Sequence, residues 1–576
     1  MMTTNKRVFL YDTTLRDGAQ TRGVDFSVKD KRQIAGWLDD FGLDYIECGW
    51  PGANPTDSEF FANLPALENA RAAAFGMTAR VGVAPAEDSG LNTVLDNAAS
   101  CVCLVGKTWG FHVETALRVS LEDNLELISS SVAHVVDQGK EALFDAEHFF
   151  DGYKANPEYA LKCLRAAHEA GARWLVLCDT NGGTLPHEVD EIVSVVSKEF
   201  PKEVLGFHGH NDTGNAIACS LAAVRAGCRM VQGTLSGLGE RCGNADLLAL
   251  MPTLRYKMGY DIGVSDAKLC ELGALGKKLD KLLDRQSDTH APYVGDAAFA
   301  HKGGLHASAV ARNPALYEHL TPELVGNRRE ILMSNQAGQA NLLMKLEALD
   351  IKVEFKDPRL SCLLEMVKER EHEGYAFDRA EGSFAVLALR QLGRLDSPFE
   401  LQEFNVNNRG VMTPDGRSHI SVQAQLRMKV GDVETQATAK GNGPVNALDN
   451  ALRKALVKHF PELETVSLTD YRVRILDTGT ATGATTRVLL ESHDTRTNTS
   501  WTTIGVSTDV VGASLEALVD SYLFKLNAKA EHNCSVSCDK GTEPVHSKDR
   551  RMVEVPKVPV PTRSQRNRRK MVCLLG

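Results

Sequence analysis

The chain has 576 residues, 43% of them hydrophobic and 24% charged, and its 75 acidic against 65 basic side chains leave a net charge of -10. That length exceeds one ordinary domain, so two or three folded units are expected, and the acidic balance offers no basic footprint for nucleic acid. No uninterrupted apolar run is long enough to cross a bilayer, and no apolar signal core opens the sequence. Most of the thirteen cysteines (Cys101, Cys103, Cys163, Cys178 and Cys219 among them) sit within apolar segments as small buried hydrophobes, which places the expectation in the reducing cytoplasm.

From residue 7 to about 258, short β-branched or apolar runs alternate with amphipathic segments at roughly thirty residues per pair, the length of a βα unit. Strands are predicted at 8–10, 45–48, 72–76, 101–105, 142–145, 174–178, 205–208 and 230–233. Between them lies helix punctuation: Ser27 before Ile34, Leu38 and Phe41 with Gly42 after, and Asn156-Pro157 opening a helix that Gly171 closes. The fold class read from this rhythm is α/β, a (β/α)8 TIM barrel, since eight parallel strands close a barrel. An open doubly wound sheet is the alternative, but no Gly-rich dinucleotide fingerprint follows the first strand.

In such a barrel the residues just after each strand build the site. After the first come Arg16 and Asp17 in a turn that Gly18 allows to bend; after the second, Glu47; after the fifth, Glu147 and His148. The sixth leads into Asp179-Thr180-Asn181, the seventh into His208-Gly209-His210-Asn211-Asp212, and the eighth into a glycine-rich stretch ending at Asn244. In a strand, residues i and i+2 point to one side, so both imidazoles of His208 and His210 can reach one cation. With Asp17 from the first strand they make a two-histidine, one-carboxylate set for a divalent ion, and mixed N/O ligation admits Zn, Mn, Co or Mg.

Residues 259–395 lose the βα rhythm and read as helical, interrupted by the polar run His301-Lys-Gly-Gly-Leu-His306-Ala-Ser. From about 396 to 527 the pattern becomes two strands and a helix, twice: 420–429 and 434–439 lead into a helix through Leu456, then 487–491 and 501–506 into a helix through Leu526. Gly441-Asn-Gly-Pro at a helix start could hold a carboxylate on backbone N–H groups, or be a simple tight turn. Beyond about 530 the chain is rich in Ser, Pro, Lys and Arg without apolar periodicity, so a disordered, solvated tail is expected there.

YDTTLRDGAQ (11–20), DTNGG (179–183), HGHND (208–212) and GLGERCGNADLL (237–248) stand in the order and context of the metal-dependent acyl-CoA condensing and lyase barrels. The chain resembles that family, which holds 2-isopropylmalate synthase, homocitrate synthase and citramalate synthase, from about residue 6 to 527; the stretches at 45–57 and 144–161 resemble the citramalate branch most. The resemblance implies metal ligation by Asp17, His208 and His210 with Asn244 as a weaker or water-mediated fourth, Arg16 steadying the keto oxygen, and Thr180 holding the substrate carboxylate. Glu147 would line the acetyl group or assist proton transfer, and His306 and Tyr317 would reach over a partner subunit's barrel mouth to transfer protons. The implied substrates are small molecules, acetyl-CoA as co-substrate and a 2-oxo acid: pyruvate, condensed in isoleucine biosynthesis, or 2-oxoisovalerate, as in the isopropylmalate synthases of leucine biosynthesis. The implied organisation is a homodimer: a catalytic barrel at 1–272, helical linker subdomains at 273–395, an α+β regulatory and dimerisation domain with a ββα pseudo-repeat at 396–530, and the tail at 531–576. The family's lyases use a cysteine in a glycine-rich loop, where this chain has Cys242; a packing role is expected for it, given its synthase-like surroundings. A non-enzymatic amino-acid sensor on a dead barrel is disfavoured because every proposed ligand is present.

Overall fold

The computed structural model describes residues 7–354, 356–412 and 418–528. Eight parallel strands close into a barrel in sequence order: β1 Phe9–Asp12, β2 Tyr45–Gly49, β3 Arg71–Met77, β4 Cys101–Lys107, β5 Glu141–Glu147, β6 Trp174–Asp179, β7 Leu205–Gly209 and β8 Met230–Gly233. Closure comes from β1 against β8, with Leu10 opposite Val231 and Asp12 opposite Gly233. These strands are buried on both faces, which is why they read as near-continuous apolar runs. Strand alternation divides their side chains: Leu10, Ile46, Leu104, Phe144, Leu177 and Phe207 face the surrounding helices, whereas Tyr11, Tyr45, Cys103, Leu143, Trp174, Val176 and Met230 fill the barrel.

Capping fixes where the helices begin. Ser27 and Asp30 form a capping box at the start of helix Val28–Phe41, and Gly42 ends it in the left-handed conformation. Asn156 caps helix Pro157–Glu169 by accepting from the Tyr159 N–H, with Pro157 at the first helical position. Each cap contributes about 1 kcal/mol to the stability of its helix.

After the barrel come helices Leu272–Leu282, Gly304–Arg312, Gln339–Ala348, Arg359–His372 and Glu381–Gln391, with a two-stranded parallel pair, β9 Ala300–His301 and β10 Glu330–Ile331. A separate core around Met333, Leu342, Leu363, Phe377 and Phe384 holds this region together. The last of these helices is buried against the C-terminal part: the Ile504 N–H donates to Ser383 Oγ at 3.0 Å, and Val386 joins the core of the C-terminal sheets.

That C-terminal part differs from the expected pair of ββα units. Each half is three antiparallel strands and a helix: β11 Phe399–Met412, β12 Ser418–Val430 and β13 Val433–Gly441 with helix Pro444–Leu456, then β14 Val466–Ile475, β15 Thr486–Asp494 and β16 Thr499–Ser507 with helix Val510–Asn527. The extra strands, β11 and β14, are edge strands, and most of their described side chains are exposed. They therefore lack the apolar alternation that marks a half-buried strand. No helix among the described residues is long and apolar enough to cross a membrane. The tail expected at 531–576 lies outside the described residues.

Candidate active site

The turn after β1 is tied down before it presents any charge. Asp12 accepts from the Thr14 N–H at 2.9 Å and from its hydroxyl at 2.8 Å, and Thr14 Oγ1 accepts from the Leu235 N–H beyond β8 at 2.9 Å. Arg16 and Asp17 are thereby set over the barrel mouth. Arg16 Nε donates to Glu47 Oε2 at 2.7 Å, its Nη1 lies 3.3 Å from Asp17 Oδ2, and its guanidinium sits over the Phe75 ring, 4.0 Å from the centroid. Glu47, fully buried in the middle of β2, also accepts from the hydroxyls of Tyr11 and Thr13. Burial disfavours a charged guanidinium, but the field of Glu47 and then Asp17 outweighs it and binds the proton more tightly.

His208 lies next to last in β7 and His210 just beyond its end, so period-two alternation puts both rings on one side. Their Nε2 atoms are 3.3 Å apart, and Asp17 Oδ2 is 3.6 Å from one and 3.7 Å from the other. All three residues are buried. Burial, and next the neighbouring His210, push the His208 imidazole down to about 3, and burial depresses His210 as well, so both rings are neutral and carry lone pairs. Burial alone would raise Asp17, but the Arg16 guanidinium beside it holds it below the usual carboxylate range.

Asn244 is brought to the same place by an isolated antiparallel bridge to His210. The glycine-rich loop before it must pass very close. A Cβ on Gly239 (φ +155°) would lie 2.1 Å from Asn244 Nδ2, and one on Gly243 (φ +89°) would lie 1.9 Å from the Gly237 carbonyl oxygen. Among the described residues, Asp17 Oδ1, His210 Nδ1 and Asn244 Oδ1 are buried without a hydrogen-bond partner. The orphaned buried oxygens of Asp17 and Asn244, beside two imidazoles, fit the donor set that a divalent cation takes, and Asp17, His208 and His210 offer atoms that could hold one within 4.8 Å of one another.

Glu147, at the end of β5, is paired with Lys107 at the end of β4, and Thr180 Oγ1 accepts from the His148 N–H at 2.9 Å. Both stand on the rim that carries Asp17, His208 and His210. His306 and Tyr317 lie elsewhere: they stack on each other at 4.1 Å between centroids, both exposed, and make no hydrogen bond, ion pair or ring contact with Arg16, Asp17, His208, His210 or Glu147. Cys242 is exposed rather than packed. Its neighbour Arg241, at φ +54°, turns the loop outward while its side chain reaches back to Asp212 (2.7 and 2.9 Å) and the Thr180 carbonyl (2.8 Å).

Two residues that the sequence reading left without a role stand behind the site. Gln232, inward-facing on β8, has its Oε1 3.0 Å from His208 Nδ1 and donates through Nε2 to Asp145 Oδ1 at 3.0 Å. Asp145 faces inward on β5, where burial, and next Glu47, raise its carboxyl to about 7.

The HMGL-like family matches residues 7–275, the homocitrate synthase post-HMGL domain-like family 293–374, and the LeuA allosteric (dimerisation) domain 379–525. The (R)-citramalate synthase of Geobacter sulfurreducens is 47% identical over 526 residues, covering 91% of this chain and 98% of its own. This chain belongs to the (R)-citramalate synthase family. The synthase of Aquifex aeolicus is 45% identical over 90% of this chain and 98% of its own. A probable 2-isopropylmalate synthase of Methanopyrus kandleri stands further off, at 32% over 89% of this chain and 97% of its own. Membership in this family makes the chain an acyltransferase rather than a lyase.

Proposed function

We propose that the chain condenses acetyl-CoA with pyruvate and water to give (R)-citramalate and CoA, the entry to isoleucine. The observation that carries this reading is the convergence at one barrel mouth of Arg16 with Asp17, His208 and His210, in a chain of this family. Asp17, His208 and His210 would hold a divalent ion, with Asn244 as a further oxygen donor. When bound, that ion supplies Lewis-acid polarisation of the oxo acid.

Arg16, clamped by Glu47 through Nε and stacked on Phe75, has its remaining N–H groups free of that clamp. They face the mouth and stabilise the oxyanion that develops on the keto oxygen as the acetyl methyl carbon attacks C2. Arginine suits this because it stays charged throughout. Thr180 holds the oxo-acid carboxylate by hydrogen bond. Glu147 stands across the rim, with Lys107 beside it, to take a proton from the acetyl methyl group; water then hydrolyses the thioester and CoA leaves. His306 and Tyr317, exposed and stacked on the linker with Leu305 and Leu316 beside them, serve the barrel of a second copy, which makes the working unit a homodimer. The regions 1–272, 273–395 and 396–530 then divide into catalysis, linkage and regulation.

The test is CoA release from acetyl-CoA and pyruvate by protein stripped of divalent ions. Release should stop and return when an ion is restored, but not in Asp17→Asn or His210→Ala. Turnover that survives exhaustive chelation, or either variant working at near-normal rate, would overturn the assignment.

A further inference from the structure

Behind the ligand edge of His208 runs a polar link that the chemistry above leaves unused. His208 Nδ1 faces Gln232 Oε1 at 3.0 Å, and Gln232 Nε2 donates to Asp145 Oδ1 at 3.0 Å. The three residues come from β7, β8 and β5, and Gln232 and Asp145 are buried at 0% and 3% exposure. A glutamine buried inside a barrel otherwise packed with Tyr11, Leu143, Trp174, Val176 and Met230 is costly unless both ends of its amide are satisfied.

The link constrains His208 in two ways. An amide oxygen has no proton to give, so the ring nitrogen facing it must carry one, which leaves the lone pair on Nε2, the atom that faces Asp17 and His210. The amide itself could turn over and present its NH2 to the ring, which would move the ring proton to Nε2 and block ligation. Asp145 prevents this by accepting from Nε2 of the glutamine. His210 has no such support, since its Nδ1 is buried without a partner. The device therefore belongs to one ligand of the pair.

We propose that Gln232 and Asp145 are positioning residues that hold His208 in the tautomer and orientation needed to bind a divalent cation through Nε2. The proposal rests on the reading of Asp17, His208 and His210 as a metal centre. It predicts that removing the link weakens the ion by about 10- to 100-fold, the usual effect of losing the partner behind a ligating histidine.

The experiment titrates the ion-free full-length protein with Co2+, reading affinity by calorimetry and ligand field by visible absorption, with thermal midpoints measured alongside. Gln232→Met, which keeps length but cannot accept at the ring, should raise the Co2+ Kd at least tenfold and alter the cobalt spectrum. Asp145→Leu should do the same, while Asp145→Asn, which still offers an oxygen to the glutamine NH2, should stay within about threefold of wild type, because one acceptor has replaced another. In a Gln232→Met background, Asp145→Leu should add no further loss, since the link is already cut. Wild-type affinity in Gln232→Met, equal losses in Asp145→Leu and Asp145→Asn, or fully additive losses in the double variant would each overturn the proposal. If Gln232→Met does not fold, the contrast between the two Asp145 variants decides alone. Wild-type protein that binds no divalent ion would instead remove the metal centre itself, a different failure with a different signature.

Discussion

Replacing Arg16 by lysine separates positive charge from directed hydrogen bonding. The guanidinium in place makes three engagements at once: Nε to Glu47 at 2.7 Å, Nη1 to Asp17 at 3.3 Å, and its face on the Phe75 ring at 4.0 Å. These use the planar fork and leave further N–H bonds that can serve the keto oxygen. A lysine ammonium on a flexible stem is drawn to Glu47, the fully buried carboxylate, and has no second nitrogen to offer the keto oxygen. The loss is one oxyanion contact, roughly 3 kcal/mol, or on the order of a hundredfold in kcat. Because the charge is kept, Co2+ affinity should change by less than about fivefold and the KM for pyruvate only modestly, the pattern of an interaction realised in the transition state. Steady-state CoA release, with Co2+ titration of the same preparations, measures both quantities. A kcat within threefold of wild type would remove Arg16 from the mechanism; a parallel collapse of Co2+ affinity would make it a structural prop for Asp17.

Mixing Arg16→Ala with His306→Ala protein should restore about a quarter of wild-type turnover, because a heterodimer in which the linker serves the partner's barrel has one intact site; no recovery after subunit exchange would return His306 to a surface role. Deleting residues from 396 onward should abolish inhibition by isoleucine, and because helix Glu381–Gln391 packs on β16 the cut should also lower the thermal midpoint of what remains; inhibition that persists in an active truncation would contradict the regulatory role. Asp494 is fully buried, paired with Lys525, and accepts from Thr465 Oγ1 (2.6 Å), the Arg496 N–H and Thr497 Oγ1 (both 2.9 Å). Burial would raise its carboxyl, but Lys525 and then Thr465 outweigh it and hold it well below the usual range. Its contribution is therefore present above the unfolded value near pH 4 and lost as pH falls through the folded one. Asp494→Asn should cost about 3 kcal/mol at pH 7, with the gap from wild type in chemical-denaturation midpoints narrowing as pH falls; a gap that holds constant down to pH 2 would refute the pairing.

The barrel was legible because its strands are buried on both faces, so the runs at 101–105, 174–178 and 205–208 stand out from sequence alone. The meeting of Asp17, His208 and His210 was legible because charge and imidazole at the ends of such runs have no packing purpose. Strands β11 and β14 were missed for the opposite physical reason: an exposed edge strand carries no burial pattern to read. Gln232 and Asp145 left a fainter trace. Period-two alternation places Leu143, Asp145 and Glu147 on one face of β5, and Met230 and Gln232 on one face of β8, so a polar residue at an inward position was there to be noticed. Its partner across the barrel was not, because the pairing joins positions 145 and 232. Cys242 was expected to pack, but it stands exposed next to Arg241, whose backbone is left-handed. His306 and Tyr317 owe their assignment to family resemblance; the structure adds that their rings are stacked and exposed.

CoA release measured with pyruvate, 2-oxoisovalerate and 2-oxoglutarate in turn, on one metal-replete preparation and with the product's configuration determined, decides whether this barrel joins acetyl-CoA to pyruvate. kcat/KM should be highest with pyruvate, and the product should be (R)-citramalate. Preference for 2-oxoisovalerate, or no release with any of the three, would contradict that reading.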